Sequence, residues 1–397
     1  VNGAVGASGY GDAVAFAGPD WIGPGTRFGV DEMVFFRGKG TVPFDDVLER
    51  IDLVISGPHA TAAFPAELQP FVDPSLTQRL QYDFSDWSTS PVARRWAAVD
   101  PHVLYIEDPH PRAVRDANRP RPTDLLAALR EAFDRLAADP TGHPSLAGVD
   151  AVRPVTFGYL PVLRRPSTND EWEALGAALL AAGTLGVDPY EACRDQLIER
   201  VVAAKVRHLA DADPQGWSPA EWHSATHLDV LSIHDTMNTT ARPDGAVCLE
   251  RQPADRLPEL VALSNRGDAA GERRAEGDEV SMPAPRLRSI GQAYRDAFGV
   301  PDHHVAYNRP YLGGHETQLA GPRLRELAVE HPGLHLAAWQ NEFLREFLLG
   351  PEACRAMHEP GDAWVPAPDS WVNDIADRLA AAHAAVRLHG TALDRGV

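Results

Sequence analysis

The stretch Asp52-Leu53-Val54-Ile55-Ser56-Gly57-Pro58-His59 decides how the rest of the chain is read. An apolar run breaks at Gly57-Pro58, just ahead of a histidine. A short apolar run bounded by Gly and Pro reads as a buried strand, here predicted over 51–56. Ligands in open α/β sheets bind at the carboxyl ends of such strands, so His59 is placed to reach a metal or a substrate. Asp229-Val230-Leu231-Ser232-Ile233-His234 repeats the pattern, an apolar strand closing on a histidine. One such histidine alone reads most simply as a hydrogen-bonded core residue. Two at matching strand ends point to a shared site.

Further strands are predicted over 102–106, 260–263, 304–307 and 334–339. Apolar positions at helical spacing predict helices over 80–96, with a break near Pro91, and over 123–136, 190–211, 286–298, 322–330 and 369–389. Another runs to 183 from the capping signal Ser167-Thr168-Asn169-Asp170-Glu171. Strands alternating with helices imply an α/β sandwich, a mixed and mostly parallel central sheet flanked by helices. Residues 1–45 are rich in Gly and Pro, with aromatics at Trp21, Phe28, Phe35 and Phe36. They predict an irregular N-terminal arm packed on the core, with 46–397 forming one α/β domain that ends in a helix. The glycines between Gly3 and Gly11 lack the preceding strand and the Lys-Ser/Thr ending of a phosphate loop.

The net charge of −19 excludes nucleic acid and anionic membrane surfaces as natural partners, because both select basic patches. Cys193, Cys248 and Cys354 are odd in number and far apart. That indicates neither a disulfide framework nor a structural zinc site, and fits a reducing, cytoplasmic compartment. No apolar run approaches the roughly 18 residues of a membrane span, and no signal-peptide pattern opens the chain.

Catalytic zinc takes three protein ligands and leaves a position for water. Beside His59 and His234, the third ligand is sought among the acids Asp83 and Asp86 of Tyr82-Asp83-Phe84-Ser85-Asp86-Trp87. His223 and His227 stand four apart on a predicted helix, but the Glu of an HExxH metalloprotease is missing between them. His303 and His304, side by side, are expected on opposite faces of a strand.

These segments, taken in order, resemble the N-formylglutamate amidohydrolase (deformylase) family, which is related in fold to the zinc carboxypeptidases. The resemblance is carried by Ser56-Gly57-Pro58-His59-Ala60-Thr61, by Asp83 to Trp87 (one residue longer than the family's Asp-x-Asp-Trp), and by Arg112-Ala113-Val114-Arg115-Asp116-Ala117-Asn118-Arg119-Pro120. It continues in Ser232-Ile233-His234-Asp235, in Leu257-Pro258-Glu259 through Gly267, in the turn Asn308-Arg309-Pro310-Tyr311-Leu312-Gly313-Gly314, and in Gln340-Asn341-Glu342-Phe343-Leu344-Arg345. It spans about residues 50 to 350.

The resemblance implies a three-layer fold and a divalent ion, zinc or another transition metal, held by His59, Asp86 and His234. Asp83 is the alternative acid, since the extra residue leaves the register open. Glu342 would be the general base. Arg112 and Arg119 would stabilise the oxyanion and clamp a substrate carboxylate, with Asn118 helping to position it and Asp116 orienting an arginine. Asn308, Gly313, Gly314 and His315 would line the substrate pocket. The chain departs from the family pattern at Ser232 and Asp235, and Ala62 stands where a carboxypeptidase would carry its ligand glutamate. The expected activity is zinc-dependent hydrolysis of the C–N amide bond of a small anionic N-formyl or N-acyl amino acid. The alternatives are a carboxypeptidase-like hydrolase of a peptide or cyclic amide, and a non-catalytic binding protein on the same fold.

Overall fold

A computed structural model describes residues 18–389. Among these residues, seven strands form one mixed sheet. They are β1 (Val34–Phe36), β2 (Leu53–Gly57), β3 (Val103–Glu107), β4 (His227–Thr236), β5 (Val261–Ser264), β6 (Val305–Tyr307) and β7 (His335–Leu344), in the spatial order β6-β5-β7-β4-β2-β3-β1. The four central strands β7, β4, β2 and β3 are mutually parallel. β1 joins β3, and β5 joins β7, in antiparallel pairs, while β6 runs parallel to β5. This is the mixed, mostly parallel sheet that the sequence implies.

β2 is buried at all five positions, as expected for a strand covered on both faces. Successive side chains alternate between those faces. Val54, Leu104 and Val230 join one core with Tyr190, Leu197 and Val201 of the long helix α5 (Val187–Asp211). Ile55, Tyr105, Leu231, Ile233 and Trp339 join a second core with Trp96, Tyr294 and Leu379. Those three come from α2 (Thr89–Val99), α7 (Ala284–Phe298) and α10 (Asp369–His389). Further helices are α1 (Gln78–Asp83), α3 (Leu125–Ala138), α4 (Asn169–Leu185), α6 (Pro219–Thr226), α8 (His315–Glu330) and α9 (Arg345–His358), besides a single turn at Val30–Met33. The capping signal before α4 is used as read: the Thr168 side chain accepts from the Glu171 N–H.

Several expectations are corrected. The helix predicted over 80–96 breaks at 84–88, not at Pro91. Pro91 sits in the first turn of α2, where its missing N–H has no helical acceptor to lose. The helix predicted from 322 begins at His315 and carries Pro322 in its interior. His303 and His304 lie in a 3₁₀ turn before β6, not on a strand. His223 belongs to α6, but His227 opens β4; their rings stack at 4.0 Å instead of sharing a helix face. The N-terminal arm is not irregular throughout, since its residues 34–36 form the edge strand β1. The glycines between Gly3 and Gly11 fall outside the described residues.

β7 is longer than predicted. It continues past Trp339 to Leu344, so Gln340 and Glu342 stand on one face of a strand beside β4. The register pairs Gln340 with Ser232 and Glu342 with His234.

Candidate active site

The carboxyl ends of β2 and β4 deliver the two histidines. Gly57 closes β2 where a Cβ would lie 2.6 Å from the Tyr105 hydroxyl oxygen, so only glycine lets the chain turn there toward His59. Asp86 comes from the turn between α1 and α2, and its backbone N–H donates to the His59 carbonyl at 2.9 Å. One carboxylate oxygen of Asp86, Oδ2, lies 3.2 Å from His59 Nδ1 and 2.8 Å from His234 Nδ1. All three side chains are buried. Their potential ligand atoms fall within 4.8 Å of one another, the one such group among the described residues. Asp83 points elsewhere, to the Arg345 guanidinium at 3.1 Å.

The far nitrogen of each ring is also engaged. His59 Nε2 faces Asp116 Oδ1 at 2.6 Å. A carboxylate there accepts a hydrogen bond from Nε2–H, which keeps the proton on Nε2 and the lone pair on Nδ1. Asp116 therefore serves a histidine, in place of the arginine proposed for it. His234 Nε2 lies 2.9 Å from Ser232 Oγ and 3.2 Å from Asn118 Nδ2. Ser232 in turn donates to Glu316 at 2.7 Å. Glu316 is buried and receives further hydrogen bonds from Ser56, Tyr190 and Arg194. Burial pushes its pKa up, but the Arg194 charge and the hydroxyl donors outweigh burial and hold the carboxyl below its usual range. Sequence reasoning missed Glu316 and singled out its neighbour His315. The only local signal is its place in the first turn of α8, just past Gly313-Gly314.

A cavity of about 260 Å³ opens onto the cluster and is lined by His59, Asp86, His234, Glu342, Arg112, Asn118 and Arg119, together with Gly313 and Gly314. Arg112 donates to Asp86 Oδ1 at 2.9 Å and also contacts His59 Nδ1. Arg119 donates to Asp150 at 2.9 Å. Glu342 accepts from Thr236 Oγ1 at 2.7 Å and Gln340 Nε2 at 3.0 Å. A Cβ at Gly314 would lie 2.2 Å from Asn118 Nδ2, so glycine there lets backbone and Asn118 meet.

Two expected lining residues are placed differently. Asn308 braces the preceding turn, donating to Asn265 Oδ1 at 2.9 Å and Asp268 O at 2.7 Å. It does not line the cavity, and neither does His315, the first residue of α8. Phe157, Arg251, Tyr311, Thr236, Leu312 and Gln340 do line it. None of these is assigned a role from the sequence: Tyr311, Leu312 and Gln340 lie inside quoted motifs whose roles go to their neighbours, and Phe157, Thr236 and Arg251 lie outside those motifs.

The electrostatics suit a cation and a base. Burial raises the pKa of Asp86, yet Arg112, His59 and the hydrogen bond from His234 bring it well below the ordinary range. Burial disfavours the charged form of His234, but the hydrogen bond and charge of Asp86 prevail and raise its pKa. Glu342 is pushed up, chiefly by burial and further by the Asp86 charge, against the opposing pull of His234.

Residues 51–212 match the family model for N-formylglutamate amidohydrolase. The chain resembles this family, and the matched span contains His59, Asp86, Arg112, Asp116, Asn118 and Arg119; His234 and Glu342 lie beyond it. The match supports a hydrolase of the N-formylglutamate amidohydrolase type. Among solved structures, an N-formylglutamate amidohydrolase from Ralstonia eutropha JMP134 is 18% identical, with 88% of this chain and 96% of that chain covered and a TM-score of 0.48. A gene product from Agrobacterium tumefaciens is 13% identical, with 86% and 92% covered and a TM-score of 0.41. No curated protein matches the chain. No described helix is long and apolar enough to cross a membrane.

Proposed function

We propose that the protein is a zinc-dependent amidohydrolase that cleaves the C–N amide bond of a small anionic N-formyl or N-acyl amino acid. The convergence of His59 Nδ1 and His234 Nδ1 on Asp86 Oδ2 carries this reading. Two imidazole nitrogens and one carboxylate oxygen form a donor set suited to a catalytic zinc with an open position. The fit extends outward, because the Asp116 contact leaves the lone pair of His59 on the nitrogen that faces Asp86. His59, Asp86 and His234 would hold the ion. A zinc ion bound there supplies Lewis acidity, which polarises an amide carbonyl and acidifies water.

Glu342 is the general base. It faces the cavity beside His234, and its raised pKa suits a carboxylate that must accept a proton and pass it to the leaving nitrogen. Thr236 and Gln340 hold its two oxygens in place. Arg112 touches the ligand cluster and is positioned to stabilise the oxyanion, a contribution of about 3 kcal/mol for one donor. Asn118 and Arg119 orient the substrate near the scissile bond, with backbone donors offered by the Gly313-Gly314 turn. The basic lining favours a small anionic substrate. The free cysteines fit a cytoplasmic setting.

The test is metal analysis of the purified protein together with an assay on N-formyl and N-acyl amino acids, before and after chelation. The expected result is bound zinc, and activity that is lost with chelator and restored by zinc. A protein that binds no divalent metal and hydrolyses none of the panel overturns the proposal.

A further inference from the structure

Glu316 is a buried carboxylate to which four side chains donate. Ser56 and Ser232 donate to Oε2, and Tyr190 and Arg194 donate to Oε1. The two serines are register partners on β2 and β4, so the sheet presents both hydroxyls to the first turn of α8. A buried carboxylate is costly unless it is paired and hydrogen-bonded. Glu316 is both, with a guanidinium among its donors, and it stays charged.

The Ser232 hydroxyl has a second neighbour, His234 Nε2, at 2.9 Å. Its one proton goes to Glu316 at 2.7 Å, because a charged carboxylate accepts and has no proton to give in return. Ser232 Oγ therefore accepts from the Nε2–H of His234. Asn118 does not compete as an acceptor. Its Oδ1 accepts from the Glu316 N–H at 3.0 Å, which turns its amide nitrogen toward the ring at 3.2 Å. The bonds thus run from the Glu316 carboxylate through one hydroxyl to the back of His234. Behind the other ring a carboxylate makes the contact directly, Asp116 to His59 Nε2 at 2.6 Å. Ser232 is a position where the chain departs from the family pattern, so the bridged link is this chain's own.

Building on the metal-dependent reading, we propose that Glu316 is a positioning residue for the metal site: acting through Ser232, it keeps the proton of His234 on Nε2 and strengthens Nδ1 as a ligand.

Three substitutions separate this role from a structural one. Ser232→Ala and Ser56→Ala each remove one hydroxyl from Glu316 Oε2, and only the first cuts the link to His234. Ser232→Thr keeps the hydroxyl, and a separate cavity of about 270 Å³, bordered by Ser232, Ile198, Val230 and Leu324, has room for its methyl. The zinc affinity of each folded protein is measured by competition with a chromophoric chelator. An outer partner of a ligating histidine contributes about 10- to 100-fold in metal affinity. Ser232→Ala should lose about that factor, while Ser56→Ala and Ser232→Thr stay close to wild type. Glu316→Gln should lose about as much as Ser232→Ala, and should cost nothing further in a Ser232→Ala background. A Ser232→Ala that binds zinc as tightly as Ser56→Ala, or a Glu316→Gln that binds as tightly as wild type, overturns the assignment. A wild type that binds zinc but hydrolyses no N-formyl or N-acyl amino acid overturns the amidohydrolase reading instead, and the same affinities still decide the role of Glu316.

Discussion

Glu342 and His234 are register partners on the adjacent parallel strands β7 and β4. Two positions nearer the strand starts, Gln340 and Ser232 are paired in the same way. Both strands thus present a working residue and its support on one face. Ser232 contacts His234 Nε2, and Gln340 donates to Glu342 Oε2. The proposed base therefore stands in a fixed relation to a proposed metal ligand, set by backbone pairing.

Replacing Glu342 with Gln keeps its size and removes its basicity. The expected outcome is a loss of about 10²- to 10⁴-fold in kcat, with zinc content unchanged. Steady-state kinetics alongside metal analysis checks this. Full activity in Glu342→Gln would exclude it as the base.

Asp116 acts on the metal only through His59. A carboxylate behind a ligating histidine typically contributes about 10- to 100-fold in metal affinity. Asp116→Asn should therefore weaken zinc binding by about that factor in a chelator competition, while the protein stays folded. An unchanged affinity would assign Asp116 a purely structural place.

The pH dependence follows from Glu342. Its folded-state pKa is raised, mainly by burial, and only the deprotonated form accepts a proton. Activity should appear as pH rises through that elevated pKa, so the acid limb of the kcat/KM profile lies above the ordinary carboxylate range near 4.3. An acid limb at or below that value would contradict the assignment.

Stability has its own pH-dependent element at the start of β2. Arg387 of α10 donates to both oxygens of Asp52, at 2.7 and 2.9 Å, and to Asp100 at 2.8 Å. Burial pushes Asp52 upward, but Arg387 outweighs it and depresses the pKa well below the usual range. A carboxylate depressed on folding stabilises the protein above its unfolded pKa of roughly 3.9, and that contribution is lost as pH falls below it. Arg387→Met leaves Asp52 buried without its partner and should cost about 3–5 kcal/mol near neutral pH. Urea unfolding at pH 7 and pH 3 measures both effects; the difference between wild type and variant should shrink at the lower pH.

The parts of the site that sequence reveals share a physical cause. His59 and His234 stand out because each follows a mostly apolar run that ends at the carboxyl edge of the sheet, where ligands gather. Glu342 lacked that signal. β7 turns polar at Gln340 while still pairing with β4, and apolar periodicity ends its prediction at Trp339. The choice between Asp83 and Asp86 depends on how the turn at 84–88 winds, and spacing along the chain does not fix that. Glu316 and Arg251 were invisible for a further reason. Glu316 meets Ser56 and Ser232 across 260 and 84 residues of chain. Arg251 reaches the cavity from the segment after the strand Val247–Glu250, a placement that only the folded chain reveals.

The most direct measurement is zinc stoichiometry after exhaustive dialysis, in wild type and in His234→Ala, with circular dichroism confirming that the variant is folded. A site built from His59, Asp86 and His234 predicts about one zinc per wild-type chain and almost none in the variant. Equal zinc in the two proteins, or none in wild type at saturating metal, would contradict it.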